Sequence, residues 1–335
     1  MSKRERPIEM GNLVCKFGAQ NLLDYFHTIV YPAFFDTELI RKYGDTKYFF
    51  NKVELITIDG RVLLVGRFIK DMILEREQVY NPAQGLVEDH EELQSSPSAI
   101  FVLILDIHRL IYLKETKFAP TLDNFKSTIE SFIKAKHKEY IDRLADESKV
   151  EGKVEGKRKT KKQLLSEHLP PSLEIIPLTS ARSVEDFVRQ YEILSSVTYK
   201  FSDRNDEQDN EGFFRAVQRQ KDEVGSKSTT IKHLSPEGLD KEAVIGEVQA
   251  ATAQGNQRVV MVGKDSLGNT LRGDNNDFQL KTTIEVSSHT PSRVARNMFS
   301  KFLELVGDGL IQVGVPTKEV LAKLAPYRDD DDNAQ

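Results

Sequence analysis

Cysteine is almost absent from this chain. Cys15 is the only one in 335 residues, which excludes an intramolecular disulfide framework and any zinc site built on paired cysteines, and leaves a small buried thiol as its expected role. Long apolar runs are also missing. The longest, Ala99–Leu105, is far short of the roughly 18 residues needed to cross a bilayer, and the opening MSKRERPIEM carries no apolar leader core, so a cytoplasmic chain is expected. Nor is there an overall excess of positive charge. The 47 Lys and Arg stand against 52 Asp and Glu, for a net charge of −5, so contact with nucleic acid requires a local patch.

Catalytic signatures are missing in the same way. The seven histidines are scattered singly, none at the His-x-x-x-His spacing that puts two imidazoles on one helical face for a metal. His108, in a turn after Asp106, is an ordinary turn histidine unless that carboxylate makes it a base. There is no Gly-x-Ser-x-Gly elbow for a serine hydrolase. Gly263-Lys264-Asp265 has the Gly-Lys pair of a phosphate loop, but the upstream spacing is wrong and Asp265 stands where a hydroxyl would hold magnesium, so it reads as a strand end entering a turn. Glu247 with Gln249 is the nearest approach to a metal-dependent nuclease, and it falls on an expected helix. No cofactor is implied.

What is present is an α+β pattern. Asp59-Gly60 supplies the positive φ angles of a two-residue hairpin between Val53–Ile58 and Arg61–Phe68. A second hairpin joins Ile100–Asp106 to Leu110–Glu115, and a long helix fits residues 121–145, with Leu122, Phe125, Ile129, Phe132 and Ile133 near one face. The first fifty residues read as helical and irregular, with Leu22, Leu23, Phe26, Ile29 and Val30 at helical spacing before Pro32. Apolar periodicity stops at 147–163. The expected organisation is an N-terminal domain of β-hairpins and a long helix over 1–150, a charged linker over 151–163, a C-terminal β-α-β mixed-sheet domain over 164–325, and an acidic tail, 326–335. Within the second domain, Leu173–Leu178, a helix opening at Ser183-x-x-Asp186 and Ser196–Phe201 form the β-α-β unit. Further helices are expected near 211–223 and 238–253, strands near 229–234, Arg258–Lys264 and Phe278–Val286, and a last helix from Thr290-Pro291.

Positive charge is concentrated in three places. Lys157, Arg158, Lys159, Lys161 and Lys162 lie in the linker; Arg215, Arg219 and Lys221 recur along one helix; Arg293 and Arg296 sit near the start of the last helix, whose dipole also favours anions. With no zinc finger or stacking motif, such clusters would read the phosphate backbone rather than the bases. Two other readings compete: a nuclease whose acidic residues converge only in the fold, and an interaction scaffold in which the acidic segment 203–211 occupies the basic surface.

The order of these segments resembles the DNA-binding A component of lambda-type Rex phage-exclusion systems and, more distantly, the soluble B component of Kiwa antiviral systems. The stretches that carry the likeness are the Lys47–Phe68 hairpin, Ile100–Glu115 followed by Phe118–Phe125, the strand Leu173–Leu178, and Gly263–Gly268 with the strand after it. The resemblance implies an antiphage-defence protein: a cytoplasmic homodimer that binds duplex DNA without sequence preference, beside a membrane-protein partner. It transfers no catalytic residue, and this chain departs from the pattern in being longer, with an extra N-terminal segment, and in being acidic. That segment, with Tyr25, Phe26, Tyr31, Phe34 and Phe35, is either core or a docking site for the partner.

Overall fold

The computed structural model describes residues 4–155, 159–205 and 212–328. It opens with a strand, β1 (Arg4–Phe17), where the sequence reads as helical and irregular. The reason is burial on both sides. Ile8 and Met10 enter one core while Leu13, Cys15 and Phe17 enter another, so the segment lacks the polar–apolar alternation of a half-exposed strand.

The chain continues through β2 (Gln20–Asn21), a 3-10 turn at Leu22–Tyr25, a π-helical turn at Phe26–Val30 and α1 (Tyr31–Phe35), with Pro32 in the first turn of α1. The strands β3 (Arg41–Tyr43), β4 (Thr46–Ile58), β5 (Arg61–Asn81), β6 (Gly85–Ser95), β7 (Ser98–Ile104) and β8 (Arg109–Lys114) follow. Asp59 and Gly60 have φ of 50° and 69°, and Ile58 pairs with Arg61, so the first hairpin forms as its turn residues dictate. The second hairpin pairs Ile104 with Arg109.

Next come α2 (Leu122–Glu155), α3 (Lys161–Glu167), β9 (Ser172–Pro177), α4 (Ala181–Val188), β10 (Ile193–Phe201), α5 (Gly212–Glu223), β11 (Thr229–Leu234), α6 (Lys241–Thr252), β12 (Arg258–Lys264), β13 (Thr270–Asp274), β14 (Thr282–Val286), α7 (Pro291–Gly307) and α8 (Lys318–Leu324). The long helix therefore runs through residues 147–155, where a linker was expected; α3 is capped by Thr160, whose hydroxyl accepts from the Gln163 N–H. The cap of α4 is Ser180 rather than Ser183, which lies in the first turn.

The class is α+β. One large sheet has the order β14-β1-β8-β7-β5-β4-β3, with β9 added along β1 and β6 along β5; a second has the order β11-β10-β12-β13. Neighbouring strands in both are antiparallel. The β-α-β unit expected over 173–201 does not close within one sheet, because β9 pairs with β1 and β10 with β11 and β12. Leu173 and Ile175 of β9 pack into the first core, which holds the strand in the large sheet.

Helices α1 and α2 cover one face of that sheet, over a cluster in which Phe125 meets Phe50, Phe68 and Phe101 with ring centroids 5.1–5.6 Å apart. Helix α7 covers the other face, through Val294, Met298, Phe299 and Phe302. A third core, including Val188, Tyr199, Val248 and Met261, joins the small sheet to α4 and α6. Bodies and sequence halves do not coincide: β9, β14, α7 and Leu324 of α8 all belong to the large sheet and its cores, although they follow residue 163. The two bodies meet at a buried polar hub. Arg109, fully buried, donates to Asn12 Oδ1 at 2.7 Å and to the carbonyls of Ile107 and Gln254 at 3.0 and 3.1 Å, while Asn12 donates to the Gly255 carbonyl at 3.2 Å. Among the described residues no helix is long and apolar enough to cross a membrane.

Candidate nucleic-acid interface

The alternation of β1 decides where its first charges go. Ile8 and Met10 lie beneath α7, so Arg4 and Arg6, at the same parity, continue that face past the N-terminus of the helix. Their partners across the ladder are Val286 and Ile284 of β14, which leads into Ser287-Ser288-His289 and then α7. The result is a cleft of about 240 Å³ with Arg4 and Arg6 on one wall and Ser287, Ser288 and His289 on the other. It adjoins a second hollow of about 510 Å³ that shares these three residues and adds Arg293 and Asn297.

The floor is neutralised internally. Arg67 donates to Glu115 through Nε at 2.7 Å and Nη2 at 2.9 Å, Ser98 donates to the same carboxylate at 2.7 Å, and Arg67 also reaches the His289 carbonyl at 2.6 Å. Glu115 is thus committed to Arg67. Among the described residues no carboxylate pairs with Arg4, Arg6, Arg293 or Arg296. Thr290, at the cap of α7, makes no side-chain bond to the first-turn amides, and Pro291 follows it. Arg4 and Arg6 in the cleft and Arg293 in the adjoining hollow therefore lie at the positive end of a 17-residue helix, with Arg296 exposed one turn further along it, an arrangement suited to anions.

The other basic clusters are arranged differently. Lys157 and Arg158 lie outside the described residues. Lys159 pairs with Glu167 and Lys161 with Asp142, each at 2.6 Å, and among the described residues of that run only the exposed Lys162 lacks a carboxylate. Arg219 pairs with Glu223 at 2.7 Å, one turn along α5, and Arg215 is exposed. Lys221 does not share their surface. It is buried, with Asp222 at 2.9 Å and Asp203 at 3.8 Å, beside an 850 Å³ cleft also lined by Lys16, Arg204 and Lys227. Of the residues expected from sequence, the fold thus sets Arg293 in a hollow adjoining that of the unpaired Arg4 and Arg6, and leaves Arg296 exposed one turn on. Arg4 and Arg6 were missed because Pro7 and the buried stretch after it obscured the strand; the signal was the alternation Arg-x-Arg-x-Ile-x-Met over 4–10.

The catalytic candidates are structurally occupied. Asp106 pairs with Arg61 at 2.7 Å, and burial holds its carboxyl above the usual range. Glu247 accepts from the buried Tyr199 hydroxyl at 3.0 Å, with His233 Nε2 at 3.9 Å; burial first, and then the Glu247 charge, push the tyrosine up. Among the described residues no group of three His, Cys, Asp or Glu side chains is placed to hold a metal. Gly263 belongs to β12, and a Cβ there would meet the Ile193 carbonyl oxygen at 2.1 Å, which accounts for glycine by strand packing. Tyr25, Phe26 and Phe34 are buried in the first core, with Tyr31 and Phe35 packed against it. The chain matches no protein-family model, and a search of curated proteins finds no significant match.

Proposed function

We propose that this protein binds the backbone of duplex DNA, without sequence preference and without chemistry of its own, through the cleft at the N-terminus of α7. The observation that carries the reading is the placement of Arg4, Arg6 and Arg293 in adjoining hollows at an uncapped helix end, with Arg296 exposed on the next turn, all four without carboxylate partners among the described residues. Backbone contact follows from the chemistry, because guanidinium groups and helix amides recognise phosphate oxygens, which carry no sequence information directly. An acidic chain can bind this way because the charge that matters is local. The setting of antiphage defence, assembly as a homodimer and a membrane-protein partner come from the resemblance to Rex and Kiwa components, and belong to the same proposal.

Fluorescence anisotropy with labelled duplexes of unrelated sequence tests the binding. Similar affinity for all of them, lost in the Arg4→Ala/Arg6→Ala/Arg293→Ala variant, is expected; absence of binding to any duplex at low salt would refute it. Phage plating on cells expressing the chain, with and without its neighbouring genes, tests the setting. Protection that the same triple variant abolishes is the expected result.

A further inference from the structure

Beyond Asp71, β5 leaves the sheet. Its last pairing with β7 is Ile69–Ser98 and with β4 is Asp71–Lys47; from Met72 to Asn81 it pairs with β6 alone. These two strands form a free ribbon whose root lies near the α7 cleft, since Arg67 of β5 donates to Glu115 and to the His289 carbonyl, both of which line it, and the ribbon runs roughly 30 Å from the body at the usual rise per residue. Isolated two-stranded ribbons are marginal in water, and their open edges are templates for association.

The ribbon's surface carries a second oddity. Ile73, Tyr80, Leu86 and Leu93 are exposed, at 47–69%. Between Lys70 and Ser95 there are seven carboxylates against two cations. Arg76 engages Asp89 and Glu91, but Glu75, Glu77, Glu88 and Glu92 have no cationic partner among the described residues. Glu75 and Glu92 even face each other across the ladder, a destabilising pair in a free ribbon.

We propose that this acidic ribbon docks on the α7 cleft of a second copy of the chain, its four unpaired glutamates meeting Arg4, Arg6, Arg293 and Arg296. Charge selects the occupant. Nucleic acid would be repelled by the ribbon, and ribbon-on-ribbon pairing would oppose two sets of seven carboxylates. The chain's own cleft lies at the ribbon's base, out of reach of its distal half. A reciprocal exchange between two copies satisfies both surfaces with closed two-fold symmetry. The docked ribbon and DNA would then compete for one cleft, so this homodimer is the closed form and the separated copies are the form that binds DNA, although the docking itself does not rest on the DNA-binding reading.

The test needs only purified full-length protein and no nucleic acid. Variant one carries Glu75→Lys, Glu77→Lys, Glu88→Lys and Glu92→Lys; variant two carries Arg4→Glu, Arg6→Glu, Arg293→Glu and Arg296→Glu. All eight positions lie at the surface, and circular dichroism verifies folding. Sedimentation equilibrium at low salt should show a dimer for the unaltered chain, and monomers for each variant alone, with the dimer constant weakened by roughly a hundredfold or more as like charges are juxtaposed. Mixing the variants should restore a one-to-one dimer, because both reciprocal contacts again join opposite charges. An unaltered chain that is monomeric at low salt, a dimer insensitive to both reversals, or variants that stay monomeric when mixed would each overturn the proposal. None of these outcomes bears on whether DNA binds the cleft.

Discussion

If four arginines neutralise one phosphate each, the affinity for duplex DNA has a calculable salt dependence. Each neutralised phosphate contributes about −0.9 to the slope of log K against log salt, so the slope should be close to −3.6. Raising salt from roughly 50 to 200 mM should then weaken binding by a factor of 150. Removing Arg4 and Arg6 together should halve the slope to about −1.8, and the same salt step should then cost only a factor of 12. The structure also names the control. Lys161 and Arg219 are paired with Asp142 and Glu223 at 2.6 and 2.7 Å, so the Lys161→Ala/Arg219→Ala variant should keep the parent slope. Anisotropy titrations against a labelled duplex measure both, at protein concentrations where the chain is monomeric. A slope unchanged by the loss of Arg4 and Arg6, or reduced as much by the loss of Lys161 and Arg219, would refute the assignment of the cleft.

Three further outcomes follow from the interior. Arg109→Met should destabilise the protein by about 3 kcal/mol in urea unfolding, because the Asn12 side chain, the buried Ile107 carbonyl and the half-buried Gln254 carbonyl lose a charged donor. Burial holds His137 below the ordinary histidine value, while its Nε2 lies 3.0 Å from the His168 carbonyl oxygen. The unfolded chain therefore takes up that proton first, so stability should fall as pH drops below about 6.5, and His137→Gln should flatten the dependence in unfolding curves taken across that range. Cys15 is fully buried, and burial pushes its thiol up to about 12, so a thiol–disulfide reagent should label it only after denaturation; rapid labelling of the native protein would contradict the packing of β1.

The features legible in the sequence were those whose causes lie within a few residues. Asp59-Gly60 specified a hairpin because those two residues accept positive φ, and Thr290-Pro291 specified a helix start. The face of α2 carrying Phe125, Ile129, Phe132 and Ile133 was readable from spacing. The extent of α2 was not, since charged residues 147–155 show no apolar stripe and continue a helix already nucleated upstream. The distal arm of β5 and β6 was invisible for a related reason: it buries no face that would impose alternation.

The candidate site divides along the same line. Sequence alone determined that Arg293 and Arg296 sit at the start of a helix, because capping chemistry is local. That Arg4 and Arg6 join them was decided only by the antiparallel pairing of β1 with β14, residues nearly a whole chain apart. Tertiary structure likewise turned Lys221 inward and gave Lys159, Lys161 and Arg219 their carboxylate partners. A charge is visible in a sequence, but whether it faces phosphate, solvent or another side chain depends on strand pairing, and strand pairing is selected by burial across the whole chain.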